Sequence, residues 1–228
     1  MILESTTYPG TTEEVVLPML SVNGLKVGKD FFLCFSPERV DPGNPHYQTR
    51  NIPKVVGGVT PACTMMGTLF YSHALETVIP VSSTQVAEMV KLLENTFRMI
   101  NIGLVNEMAV MCERMGINVW EVIDAAASKP FGFPAILSGT RLGRTLYSDR
   151  SLFPLLEDAA GRHGSPLHRT GGYINGQMPH FVVEKIQNAL NDRGKPLKGL
   201  RIHVLGVLPT SATLTMSANR RPSISFIS

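Results

Sequence analysis

The sequence predicts an α/β protein: a parallel sheet, then a region built on one long helix, then the start of a second α/β unit. Three observations carry this. Phe31-Phe32-Leu33-Cys34-Phe35 is an unbroken apolar run, the pattern of a strand buried on both faces. Strand-like and helix-like segments alternate from Lys54 to Val81. Apolar residues recur at helical spacing from Val86 to Met115.

Taken in order, Met1-Ile2-Leu3 opens the chain as an apolar strand and runs into the polar segment Glu4 to Gly10. Thr11 stands three residues before Glu14, a capping box for a helix reaching about Leu20. Lys54–Gly58 and Thr77–Val81 read as two further strands, joined by a helix from Pro61 to Tyr71. Ser82 and Gln85 form a capping box for the long helix. Its apolar stripe is Val86, Val90, Leu93, Phe97, Ile100, Leu104, Met108, Met111 and Met115, and Gly116 ends it. At 1.5 Å per residue such a rod is roughly 50 Å long, enough to span a domain or build a dimer interface. Asn118 and Glu121 cap a shorter helix to about Ala127, and Met178 to about Asp192 reads as another, stopped by Gly194. Leu200 to Gly206 resembles the first strand of a new α/β unit. Residues 135–160 and 207–228 show little periodicity, and structureless loops of that length are uncommon in compact domains.

Composition excludes several classes. Of 228 residues, 43% are hydrophobic and 17% charged, which is neither a disordered nor a collagen-like chain. A net charge of +3 from scattered cations gives no electrostatic footprint for nucleic acid. Cys34, Cys63 and Cys112 make no CxxC pair, so a reducing cytoplasm is the expected setting. No apolar run long enough for a membrane span occurs, and Met1 is not followed by a secretory leader. The histidines show no HExxH or comparable spacing, so no metal is expected.

Several residues could carry chemistry. Lys91 and Asn95 are four apart and share one helix face, with Glu88 and Arg98 on or beside it. A cation and a carboxamide in one patch can hold an oxyanion or developing alkoxide. The alternative is a solvated face with a Glu88–Lys91 pair. Ser36-Pro37-Glu38-Arg39 follows the apolar strand, where open α/β sheets place ligands. Glu38 could act there as a base or position water, or be a turn carboxylate paired with Arg39. Ser5 and Thr6 also follow a strand end and could meet a cofactor or cap a helix. Cys34 and Cys112 lie on apolar faces, where free thiols are inert; Cys63, near a helix start, is a weak candidate nucleophile.

Five phrases together resemble the UDP-glucose/GDP-mannose dehydrogenase family: LESTTYPGTTEE (3–14), FFLCFSPERVDPGN (31–44), NIPKVVGG (51–58), AEMVKLLENTFRMINIGLVNEMAVMCERMGINVWEVIDAAASKPFGF (87–133) and INGQMPHFVVEKIQNALNDRGKPLKG (174–199). They look closest to the bacterial branch acting on UDP-N-acetylhexosamines. The resemblance implies a partial Rossmann-type parallel sheet for NAD over 1–81, a central helical dimerisation domain over 82–175, and an incomplete UDP-binding domain over 176–228. It implies oxidation of a UDP-sugar C6 alcohol to a carboxylate with two NAD⁺ in succession, through a cysteine thiohemiacetal and thioester. By motif, Lys91 and Asn95 match the residues that stabilise the C6 oxygen. Glu38 matches the glutamate of the thioester step, and Thr6, with Ser5 beside it, matches the threonine touching cofactor and water. Pro37, Glu38, Arg39, Val40 and Asp41 fall in a substrate-contacting loop. A homodimer through the long helix is the implied partner.

The sequence also departs from the family. No Gly-rich GxGxxG turn for the NAD pyrophosphate occurs in it, and the third domain has barely begun when the sequence stops, which reads as a truncated gene. After KPFGF, where the family places its cysteine, residues 135–150 contain none. Arg144 through Ser151 can be back-translated so that a one-base shift spells GHCIPID, with the cysteine falling at Leu146 and the aspartate at Arg150. Leu167–Tyr173 shifts to FIELAG and Pro209–Arg221 to AYKRDVNDVRESP, each where the family phrase is expected. Shifted reading frames would explain the lost periodicity, and residues 135–173 and 207–228 are expected to pack poorly. The chain as it stands is expected to be inactive.

Overall fold

The structure, a computed structural model, describes residues 1–40, 47–132 and 166–202. Asp41 and Leu146, and the reading of 207–228, lie outside the described residues. A four-stranded sheet in the order β1 (Ile2–Leu3), β2 (Cys34–Phe35), β3 (Lys54–Gly58), β4 (Val78–Val81) forms the centre. The sheet is mixed rather than parallel throughout: β1 and β2 are parallel, β3 and β4 are parallel, but β2 and β3 run antiparallel. The β2–β3 link contains no helix among its described residues, so it is no crossover of the kind parallel neighbours need. Of the apolar run 31–35, only Cys34 and Phe35 sit in the ladder.

Alternation along the strands builds two half-cores. Cys34 and Val56 face one side and pack with Cys63 of α2 (Pro61–Ser72). Phe35 and Val55 face the other and pack with Ala87 of α3 (Thr84–Met115). Gly57 and Gly58 serve these two contacts, not a phosphate. A Cβ on Gly57 would lie 2.1 Å from the Ser83 carbonyl oxygen, and one on Gly58 2.2 Å from the Thr64 nitrogen. Both helices can therefore start tight against β3.

Helix starts differ from expectation in two places. Thr11 already has helical dihedrals and its hydroxyl donates to the Tyr8 carbonyl, so the expected capping box is absent. The segment is a π-turn, Thr12–Val16, leading into α1 (Leu17–Leu20). Ser83, not Ser82, caps α3, because its extended backbone turns Oγ toward the Val86 N–H. Gly116 closes α3 in the left-handed region and Asn118 caps α4 (Val119–Ala127), as expected.

The last described helix, α5 (Pro166–Asn191), begins twelve residues before the expected Met178, and the 175/176 boundary falls inside it. Its early turns dock on α3. A Cβ on Gly103 would lie 3.3 Å from the Gly171 Cα, and Asn106 donates to Asn175 at 2.9 Å. Gly171 is thus buried inside a stretch expected to pack poorly, although Leu167 and Tyr173 are exposed as expected. Leu200 to Ile202 are not in a strand. No helix among the described residues is long and apolar enough to cross a membrane.

Candidate active site at the sheet edge

The chain path brings the candidate residues to one edge. β1 and β2 end there, β3 begins there, and α2 returns to it at Tyr71. α3 starts at the far edge beside Gly57, crosses the sheet over Phe35 and Val55, and reaches the near edge at Lys91. The eight residues from Ser83 to Lys91 cover about 12 Å, a little under the depth of a short sheet.

At that edge Lys91 Nζ donates to the backbone carbonyl of Glu38. Glu38 follows the buried Pro37, and its carboxylate turns back to accept from the Val40 N–H at 2.7 Å. Arg39 does not pair with Glu38. It pairs with Glu94, one residue before Asn95 on α3. Ser36 is buried with its hydroxyl on the Val55 carbonyl at 2.7 Å. Loop 36–40 is therefore bound to the helix through Lys91 and Arg39 and to the sheet through Ser36.

Asn95 lies one turn beyond Lys91, and its Nδ2 is buried with no hydrogen-bond partner. A buried donor left unpaired costs about 1–3 kcal/mol, so such an atom marks a place where a further acceptor belongs. The Thr7 hydroxyl, in the segment after β1, is buried and unpartnered in the same way. Ser5 is exposed and Thr6 half-buried between Glu4 and that orphan. Val40 and Arg98 are exposed.

Three groups at this edge, Lys54, Tyr71 and Glu4, were not singled out from the sequence. Lys54 lies 2.8 Å from Glu4 and 3.9 Å from Glu38, and its ammonium stands over the Tyr71 ring. Tyr71 donates its hydroxyl proton to Glu4. Burial pushes the Glu4 carboxyl up, but hydrogen bonds from Lys54 and Tyr71, with the Lys54 charge, outweigh it and hold the group below its ordinary value. Burial and the Glu4 carboxylate raise the Tyr71 phenol, keeping it a donor. Glu88, read from the sequence as a possible partner of Lys91, is placed differently. It is fully buried and does not pair with Lys91; Gly10 and Thr12 hold it.

All three cysteines are buried and none stands at this edge beside Lys91 and Asn95. Cys34 packs with Cys63 of α2, on the opposite side of the sheet from α3. Cys112 is 21 residues along α3 from Lys91, about 32 Å. Burial raises the Cys34 thiol, which disfavours the thiolate a nucleophile needs.

The chain is similar to several known proteins. The NAD binding domain model of the UDP-glucose/GDP-mannose dehydrogenase family matches residues 1–75, and that family's central domain model matches 85–147. A UDP-N-acetyl-D-glucosamine 6-dehydrogenase of Pseudomonas aeruginosa is 34% identical over 209 residues, covering 91% of this chain and 49% of that protein. A UDP-N-acetyl-D-mannosamine dehydrogenase of Pyrococcus horikoshii is 34% identical over 231 residues, covering 100% of this chain and 53% of that protein. The solved structure of a UDP-D-ManNAc dehydrogenase from Pyrococcus horikoshii superposes with a TM-score of 0.75 at 33% identity, covering 85% of this chain and 46% of that one. The chain thus spans about half the length of the relatives it matches.

Proposed function

The chain belongs to the UDP-glucose/GDP-mannose dehydrogenase family, and from that premise we propose that its sheet edge is the sugar-facing part of an NAD-dependent nucleotide-sugar 6-dehydrogenase site. The substrate class is a UDP-sugar, a UDP-N-acetylhexosamine or UDP-glucose, whose C6 alcohol goes in two oxidations to the uronic acid for surface polysaccharide. The relatives' names favour the N-acetylhexosamines.

The observation that carries this reading is the unpaired, buried Asn95 Nδ2 one helical turn from Lys91. A carboxamide donor and an ammonium at that spacing stabilise negative charge as an alcohol oxygen loses its proton. Glu38 lies where it can take a proton from water. Ser5 and Thr6 fit the nicotinamide end of NAD, because they follow the end of a parallel strand and adjoin the orphaned Thr7 hydroxyl. NAD supplies the hydride acceptor when bound. Ser5 and Thr6 would orient it, and Pro37, Arg39, Val40 and Asp41 match the segment that contacts the sugar.

We further propose that this chain does not turn over. Its cysteines lie away from Lys91 and Asn95, and loss of a covalent nucleophile costs several powers of ten. The codons of Arg144–Ser151 test the origin of that loss: a neighbouring frame regenerates GHCIPID if the reading is right. A second reading, a non-catalytic subunit pairing through α3, is favoured by the exposed stripe Val86, Leu93, Phe97, Leu104, Met108, Met111 and Met115.

Saturation-transfer NMR with UDP-N-acetylglucosamine and NAD⁺ tests the site. Sugar contacts in the wild-type chain should weaken about tenfold or more in Asn95→Ala and in Lys91→Met, the loss of a charge-assisted hydrogen bond. Contacts equal in all three proteins overturn the site. Steady NADH formation overturns the inactivity.

A further inference from the structure

We propose that Glu88 is a positioning residue for this site, a buried carboxylate that fixes the Ser5–Thr6–Thr7 segment against the α3 face presenting Lys91 and Asn95. Its side chain is fully buried. Oε2 accepts the Gly10 N–H at 2.6 Å, while Oε1 accepts the Thr12 N–H at 3.0 Å and the Thr12 hydroxyl at 2.7 Å. All three donors come from one short stretch distant in sequence. Burying a carboxylate is costly unless its lone pairs are used, and here both oxygens are used on the same loop. An apolar side chain could fill the space, but only directional acceptors also set the rotation of the loop backbone.

Two further relationships turn that bond set into a positioning device. Thr84, Glu88, Lys91 and Asn95 follow at spacings of four, three and four, so they share one face of α3. Thr84 donates to Glu13 at 2.6 Å, one turn before Glu88, so the loop is held twice along that face. The segment is also held at its other end, where Glu4 is bound by Lys54 and Tyr71. Ser5, Thr6 and Thr7 therefore lie between two anchors. One is on the sheet and the other is on the helix that carries Lys91.

This inference rests on reading the edge as a sugar and nicotinamide site, but its main test does not. NMR of the full chain compares wild type with Glu88→Gln. Glutamine keeps one acceptor, enough for the Thr12 pair, and turns an NH₂ toward the Gly10 N–H. Gly10 amide exchange should rise about tenfold or more while Thr12 stays protected, and the Thr6 and Thr7 methyl resonances should shift. Val55 and Val56 amides should keep wild-type protection. Should they lose it, Thr12→Val supplies the answer with Glu88 intact: the same methyl shifts should appear, and Thr12→Ser, which keeps the hydroxyl, should restore wild-type positions. Unmoved Thr6 and Thr7 methyls in a folded Glu88→Gln or Thr12→Val chain overturn the proposal. Sugar contacts in Thr12→Val should fall about tenfold. A wild-type chain that contacts no sugar sinks the reading of the site, while the exchange and methyl data still decide the role of Glu88.

Discussion

Arg39 bridges two elements through one guanidinium: Nε lies 2.9 Å from the Glu94 carboxylate on α3, and Nη1 donates to the Pro53 carbonyl at 2.8 Å just before β3. Glu94 adjoins Asn95, so this fork fixes the distance between the helix face and the strand end. Lysine carries the same charge but cannot reproduce two divergent donors. Arg39→Lys should lower stability by about 1–3 kcal/mol, read as a lower urea midpoint with unchanged slope. A midpoint equal to wild type would show that the bridge holds nothing.

Asn106 and Asn175 set the docking of α5. Asn106 Nδ2 donates to Asn175 Oδ1 at 2.9 Å, and Asn175 Nδ2 donates to the Met99 carbonyl at 3.1 Å, both in buried surroundings. The close approach at Gly103 and Gly171 brings these side chains within reach. Asn175→Ala removes both the acceptor of the Asn106 Nδ2 hydrogen bond and the donor to the Met99 carbonyl, and should cost about 1–3 kcal/mol. Replacing both asparagines with leucine should recover part of that loss, because the donor and the acceptor of the buried Asn106–Asn175 bond are then removed together. A double-mutant cycle with no coupling energy would refute the account.

Some local signals in the sequence were reliable, although the caps read at Thr11 and Ser82 were not. β3 was legible to the residue, and Gly116 and Asn118 end and start their helices as their chemistry demands. Sheet direction was not legible, because an apolar run such as Phe31–Phe35 looks the same in parallel and antiparallel company. The start of α5 was missed because glycines weaken its early turns, and only the docking of Gly171 against Gly103 of α3 offsets this. At the site, Lys91, Asn95 and Glu38 could be named from type and spacing. Glu88 could not be told from a surface acid, since its partners lie 76 and 78 residues away. The one available signal was its position three residues before Lys91, on the face under suspicion.

His168 gives the α3–α5 contact a pH dependence. It lies on α5 with the Thr96 hydroxyl of α3 3.4 Å from its ring nitrogens, and burial lowers its pKa from the ordinary value. The folded chain therefore favours the neutral ring, and the unfolded chain binds the proton more readily. Its contribution to stability is complete above about pH 6.5, falls as pH drops below that value, and levels off beneath the folded pKa. Denaturation across about pH 7.5 to 5 should show wild type losing stability that His168→Phe retains. Parallel curves for the two proteins would contradict the assignment.

The exposed stripe of α3 predicts self-association. Val86, Met89, Leu93, Phe97, Leu104, Met108 and Met115 are exposed, while the opposite face buries Ala87, Leu92, Met99, Val105 and Cys112. Val86, Phe97 and Met108 are spaced by eleven residues, a repeat of about 3.67 per turn. That is close to the period of an undistorted α-helix, so the stripe stays on one side of a nearly straight rod. A second copy of α3 laid along it would bury a surface too apolar to leave in water. Phe97 is 54% exposed near the middle of the stripe, where burying a charge among apolar side chains would be costly. Wild-type chain should sediment as a dimer and Phe97→Asp as a monomer, with the helix content of the two unchanged by circular dichroism. A monomeric wild type, or a dimer that survives Phe97→Asp, would remove this face from the assembly.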